Sequence, residues 1–142
     1  MKLRILFMLL IIIIMSFILS SAADIHAEKE SAAVEASEKW LSLVDDEKYG
    51  ESWESSSQYF KNSITIEEWK KMLAAVRKPL GKVKSRSLKS KQFMTELPGA
   101  PNGEYVVIQY ETSFENKKSA IETITPMLDK DGKWKVSGYF IK

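Results

Sequence analysis

The chain of 142 residues has no cysteine and one histidine, His26. Without cysteine there are no disulfides, thiol nucleophiles or zinc–thiolate sites. With its only imidazole close to the N-terminus, the rest of the chain lacks the residues for a Ser-His-Asp triad, a Cys-His pair or a histidine-ligated metal. Glycine and proline are sparse, at six and four, and they mark turns rather than a repeat or a low-complexity tract. No Gly-rich phosphate loop is present, and no cofactor or metal motif. "DKDG" at Asp129–Gly132 has the start of a calcium loop, but Lys133 and Trp134 follow where further ligands would be required. A hairpin turn is the better reading.

Long apolar runs are also scarce, and the one that exists is at the start. Lys2 and Arg4 precede Ile5–Leu19, apolar except for Ser16, and Ser21-Ala22-Ala23 fits the small-x-small rule of a signal peptidase site. The run is shorter than the roughly 20 residues of a spanning helix, so residues 1–23 read as a cleavable signal peptide rather than an anchor. Ile25-His26-Ala27 is a weaker cleavage site just downstream. Residues 24–30 read as a flexible lead-in and 31–142 as a single domain, periplasmic or secreted.

Charge of one sign is missing too. The full chain carries 21 basic and 19 acidic side chains; without Lys2 and Arg4 the balance is 19 against 19. That argues against nucleic acid as a partner. Seven basic residues and no acid lie between Arg77 and Lys91 (77, 78, 82, 84, 86, 89 and 91). This is a solvated face or a weak patch for anionic lipid or glycan, so membrane contact is expected only there or through an uncleaved leader.

What is present is pattern. Ala33, Ala36, Trp40 and Leu43 recur at helical spacing, and Tyr49, Trp53 and Phe60 suggest a second, short helix near Gly50. Thr65-Ile66-Glu67-Glu68 is a capping box, with Ile64 and Trp69 at the hydrophobic-staple positions. Ile66, Trp69, Leu73, Val76 and Leu80 follow on one face, and Pro79 should end this third helix near Lys78.

Beyond Lys82 the period becomes two. "KVKSRSLKSKQF" is a polar strand. "YVVIQYETSF" sets Val106, Ile108, Tyr110, Thr112 and Phe114 on one face. "SAIETITPML" carries Pro126, which predicts an edge or a bulge. After Asp131-Gly132 the last strand is expected to face Trp134, Val136, Gly138 and Phe140 inward. Three helices followed by four antiparallel strands make an α+β domain.

"WLSLVDDEKYGESWESSS", "EEWKKMLAAVRKPLGKVKSRSL", "LPGAPNGEYVVIQYETSFENK", "AIET" and "DGKWKVSGYFIK" together resemble a family of exported bacterial proteins known as domain of unknown function 4019, from about Ala33 to Lys142. The resemblance implies a cone-shaped, cystatin-like fold related to nuclear transport factor two and the ketosteroid isomerases, with a curved sheet and often a cavity. It transfers no catalytic residue, and the superfold hosts enzymes and binding domains alike.

Glu122 stands among apolar residues of the third strand, on the parity of Ala120, Ile124 and Leu128. If that face is the core, the carboxylate needs a partner, and Arg86 and Arg77 are the candidates. Tyr110 or Tyr139 beside Glu122 would make a histidine-free isomerase or dehydratase. The aromatic set, Trp53 included, would either fill the cone or line a ligand pocket. The candidate ligand-binding residues are thus Glu122, Arg77, Arg86, Trp53, Tyr110 and Tyr139. A non-enzymatic module for a small molecule or partner protein is the leading reading, with a homodimer through the sheet as a further option.

Overall fold

The computed structural model describes the backbone of residues 2–142 and the side chains of residues 22–142. The signal-peptide reading falls mostly outside the described side chains. Four helical segments precede four strands: α1 (Lys2–Asp45), α2 (Tyr49–Glu54), α3 (Gln58–Ser63), α4 (Ile66–Leu80), β1 (Val83–Met94), β2 (Tyr105–Phe114), β3 (Lys117–Leu128) and β4 (Trp134–Ile141). The sheet is an antiparallel meander in the order β1-β2-β3-β4, and α1 lies across it. The α+β class is as the sequence patterns require. Among the described residues no helix is long and apolar enough to cross a membrane.

Where one short helix is expected near Gly50 there are two. Ser55–Ser57 separate them, and the Ser57 side chain caps α3 by accepting from the Phe60 N–H. Residues 24–30, read from sequence as a flexible lead-in, are helical here. His26 stacks on Phe93, Lys29 pairs with Glu104 at 2.7 Å, and Glu30 accepts from the Phe93 N–H. After Asp45 the chain turns through Glu47, whose φ of 59° lies in the left-handed region. The N–H groups of Glu47 and Lys48 return to Val44 and Leu43, a turn that normally favours glycine.

The capping box of α4 is complete, with Thr65 and Glu68 bonding each other's backbone N–H. The helix continues to Leu80, past the expected end at Lys78, with Pro79 inside its last turn. Gly81 follows at φ 75° and ψ −162°, a region that side chains other than hydrogen seldom enter.

The even-numbered face of β2 and β3 is the core face: Val106, Ile108, Tyr110, Thr112, Phe114, Ala120, Glu122 and Ile124 are all buried. Trp40, Trp69, Leu73 and Phe60 pack on it from the helices. Pro126 sits at a register shift and not at a sheet edge, since β3 lies between β2 and β4.

That shift corrects the reading of β4. Thr125 pairs with Gly138 and Pro126 with Val136, so Ser137 is an extra residue and the inward parity reverses there. Val136 and Tyr139 turn to the core, while Phe140 is 54% exposed. In β1, register shifts leave Lys84 and Lys89 unpaired. Lysines and bulges together protect this edge against a further strand.

A buried four-charge cluster as the candidate functional site

Glu122, on the middle of the core face of β3, has no exposed surface. Arg86 Nε donates to its Oε1 at 2.7 Å and Arg86 Nη2 to its Oε2 at 3.3 Å. The Thr112 hydroxyl donates to Oε1 and the Tyr139 hydroxyl to Oε2, both at 2.5 Å. Four donors thus fill about four lone-pair positions, the whole capacity of a carboxylate.

The strand pattern explains the gathering. Arg86 pairs across β1–β2 with Thr112, and Glu122 lies diagonal to Thr112 on β3. Tyr139 comes from β4 only because of the bulge at Ser137.

The other end of Arg86 holds a second carboxylate. Its Nη1 and Nη2 reach Asp45 at 2.6 and 2.9 Å, and Arg77 Nη2 adds a bond to Asp45 at 2.8 Å. Arg77 Nη1 lies 3.4 Å from the Tyr139 hydroxyl, and its guanidinium stands 5.1 Å from the Phe114 ring centre. Two carboxylates therefore meet two guanidiniums, and the cluster is neutral.

Asp45 is the last residue of α1, whose final turn has no basic residue. A carboxylate there opposes the helix dipole, and the two arginines supply the positive charge that α1 itself lacks. The charged groups control one another's protonation. Burial works to raise the Asp45 carboxyl, but the hydrogen bonds and charges of Arg86 and Arg77 outweigh it and hold the pKa below the ordinary value. Burial and then the Glu122 charge push the Tyr139 hydroxyl well above the usual tyrosine range. Burial favours deprotonating Arg86, yet bonds to Asp45 and Glu122 more than offset that and keep it cationic.

Of the sequence candidates, the structure brings Glu122, Arg86, Tyr139 and Arg77 into one network, with Arg77 bound to Asp45 rather than to Glu122. Tyr110 is buried nearby, but its hydroxyl has no hydrogen-bond partner among the described residues, and burial together with Glu38 pushes it up to about 12. Trp53 is elsewhere: its Nε1 donates to the Ile64 carbonyl and Lys61 lies over its ring. Sequence reasoning missed Asp45 and Thr112. A helix ending in Asp45-Asp46 without a basic residue in its last turn was the available signal for the first.

Among the described residues three open grooves stand out, and Glu122 lines none of the three. One of about 660 Å3 lies between α1 and the β3–β4 hairpin, with Ala36, Trp40, Leu43, Trp134 and Val136 in its wall and Glu35, Lys39, Lys133 and Lys135 beside them. A second of about 260 Å3 opens beside Asp45 and Arg77, and a third of about 190 Å3 lies between α4 and the end of β4. Among the described residues no three of His, Cys, Asp and Glu are grouped to hold a metal ion.

An α+β domain with a hydrogen-bonded ionic cluster around a buried carboxylate is thus defined. The chain belongs to the family described as Protein of unknown function (DUF4019), whose model matches residues 36–139. No curated protein matches the chain at a significant level.

Proposed function

We propose that this is an exported, non-enzymatic binding domain whose interior charges are structural and whose ligand site is the groove between α1 and the β3–β4 hairpin. The observation that carries the reading is the saturation of Glu122. A base must present a free lone pair to a substrate within hydrogen-bond reach, and both oxygens of this carboxylate are taken inside the protein. The isomerase or dehydratase alternative, with Glu122 as base and Tyr110 or Tyr139 supplying the hydroxyl, therefore has the right groups in the wrong surroundings. Localisation outside the cytoplasm rests on the leader sequence. The four-stranded meander with a helix across it supports the finer reading of a cystatin-like, nuclear-transport-factor-two-like cone.

The α1–hairpin groove has the size of ordinary ligand sites, roughly 300–1,000 Å3. The half-buried Trp134 gives it an apolar wall, with the buried Trp40 bordering it. Lys39 is paired with Glu35, and Lys135 with Asp131 and Asp129. Lys133 is in no ion pair among the described residues and is the cation available to a ligand. These features suit a molecule with an apolar body and one anionic group.

Tryptophan fluorescence titration with dodecanoate tests this. Saturable quenching is expected, lost in Ala36→Trp, which fills the groove, and weakened in Lys133→Glu. Dodecanoate that leaves the fluorescence unchanged, or quenches the Ala36→Trp protein equally, would refute the assignment.

A further inference from the structure

The two edges of the sheet are treated differently. On β1 the edge carries bulged Lys84 and Lys89, which discourage strand addition. On β4 the protection stops early. The Val136 carbonyl accepts from the Ser57 N–H, which covers the start of that edge. Further along, Ile121 and Lys142 exchange both of their backbone hydrogen bonds. In an antiparallel ladder such pairs alternate with pairs that point away from each other. Phe140, opposite Thr123, therefore bonds to β3, whereas Tyr139 and Ile141, opposite Ile124 and Glu122, turn their N–H and C=O groups to the open side. None of these four groups has a hydrogen-bond partner among the described residues.

The third groove runs between this edge and α4. It is lined by Trp69, Met72, Leu73, Val76, Tyr139, Phe140 and Ile141, none of them charged. Met72, Val76 and Phe140 are 48%, 43% and 54% exposed, an unusual local concentration of apolar surface. We propose that this groove is a peptide-binding site. It takes an extended segment of a partner protein, which adds as a fifth strand along Tyr139–Ile141 and directs alternate uncharged apolar side chains toward Met72 and Val76.

Each part of the site selects for part of that ligand. Two outward N–H and two outward C=O groups on alternate residues match the spacing of a second strand. The lack of charge in the wall penalises a charged side chain, which would lose water without gaining a partner. A single strand also fits better than a second copy of the chain. The groove is lined by seven residues, whereas a specific interface between folded proteins takes about 20–30 residues a side.

This groove is separate from the one between α1 and the hairpin, so the dodecanoate titration and the following test succeed or fail independently. The probe is a blocked pentapeptide of alternating threonine and valine, added at millimolar concentration to the 15N-labelled protein while amide hydrogen exchange is followed by NMR. In the free protein the Tyr139 and Ile141 amides should exchange much faster than the Phe140 amide between them. With the peptide they should slow at least tenfold. N-methylation of the peptide amides on one edge should abolish the effect, and methylation on the other edge should leave it intact. Val76→Lys should remove the protection without changing the melting temperature.

No protection by the peptide, or equal effects of the two N-methylated forms, would overturn the proposal. So would Tyr139 and Ile141 amides that are already slow in the free monomer. Protection that rises with protein concentration alone, together with a dimeric mass, would assign the edge to a second copy and overturn it as well.

Discussion

Replacing Glu122 with alanine should be among the most damaging single changes in the domain. The carboxylate is fully buried, and it receives two bonds from Arg86, one from Thr112 and one from Tyr139. Truncation leaves two hydroxyls and the Nε of a guanidinium only 16% exposed without their acceptor. Breaking a buried pair by removing one partner costs about 3–5 kcal/mol, and the whole stability of such a domain is about 5–15 kcal/mol. Glu122→Gln keeps the volume and an acceptor but removes the charge, so about 1.5–3 kcal/mol is expected, the scale of a hydrogen bond to a charged group.

Urea unfolding of Glu122→Ala, Arg86→Ala and the double variant gives the coupling. It should fall between about 1 and 3 kcal/mol, because removing both charges costs less than the two single losses added together. The same cycle with Arg77→Ala should couple more weakly, since Arg77 reaches Glu122 only through Asp45 and Tyr139. Coupling with Arg86 near zero, or a Glu122→Ala cost below about 1 kcal/mol, would refute the reasoning.

Asp45 makes the cluster acid-sensitive. Its folded pKa is depressed, so its contribution is present above the unfolded value of about 3.9 and is lost as pH falls through the lower folded value. Wild-type stability should fall below about pH 4 with a component absent from Asp45→Asn, as urea midpoints across that range would reveal. Thr65→Ala removes half of the α4 capping box and should cost about 1 kcal/mol by chemical denaturation. Gly81→Ala should cost about 2–3 kcal/mol, because the backbone conformation is glycine-specific and the added Cβ would meet Glu115 Oε2 at 2.7 Å and its Cβ at 2.9 Å; a shift in Tm of less than a degree would contradict this.

Local chemistry made much of this fold readable. The capping box at Thr65–Glu68 and the alternation along Val106–Phe114 are each set by neighbours within a few residues, and both appear where the pattern places them. Glu122 drew notice because a carboxylate on an apolar face demands a partner, and Arg86 was one of two that the chain order put within reach. The sequence did not reveal which arginine would serve, because that depends on the register of β1 against β2. Nor did it reveal the inward turn of Tyr139. One extra residue at Ser137 reverses every side chain after it; Pro126 opposite signals an edge or a bulge, but nothing in the sequence places the extra residue on β4. Asp45 was hidden for a related reason: its partners lie 32 and 41 positions away, and a polar residue at a helix end looks solvated until the sheet is built beneath it.

Calorimetric titration of dodecanoate into the wild type, Glu122→Gln and Ala36→Trp proteins, each verified as folded, separates an internal structural carboxylate from a ligand-facing one. The account predicts that Glu122→Gln binds as the wild type does and that Ala36→Trp does not bind. Loss of binding in Glu122→Gln with Ala36→Trp unaffected would place the ligand at the buried carboxylate and contradict it.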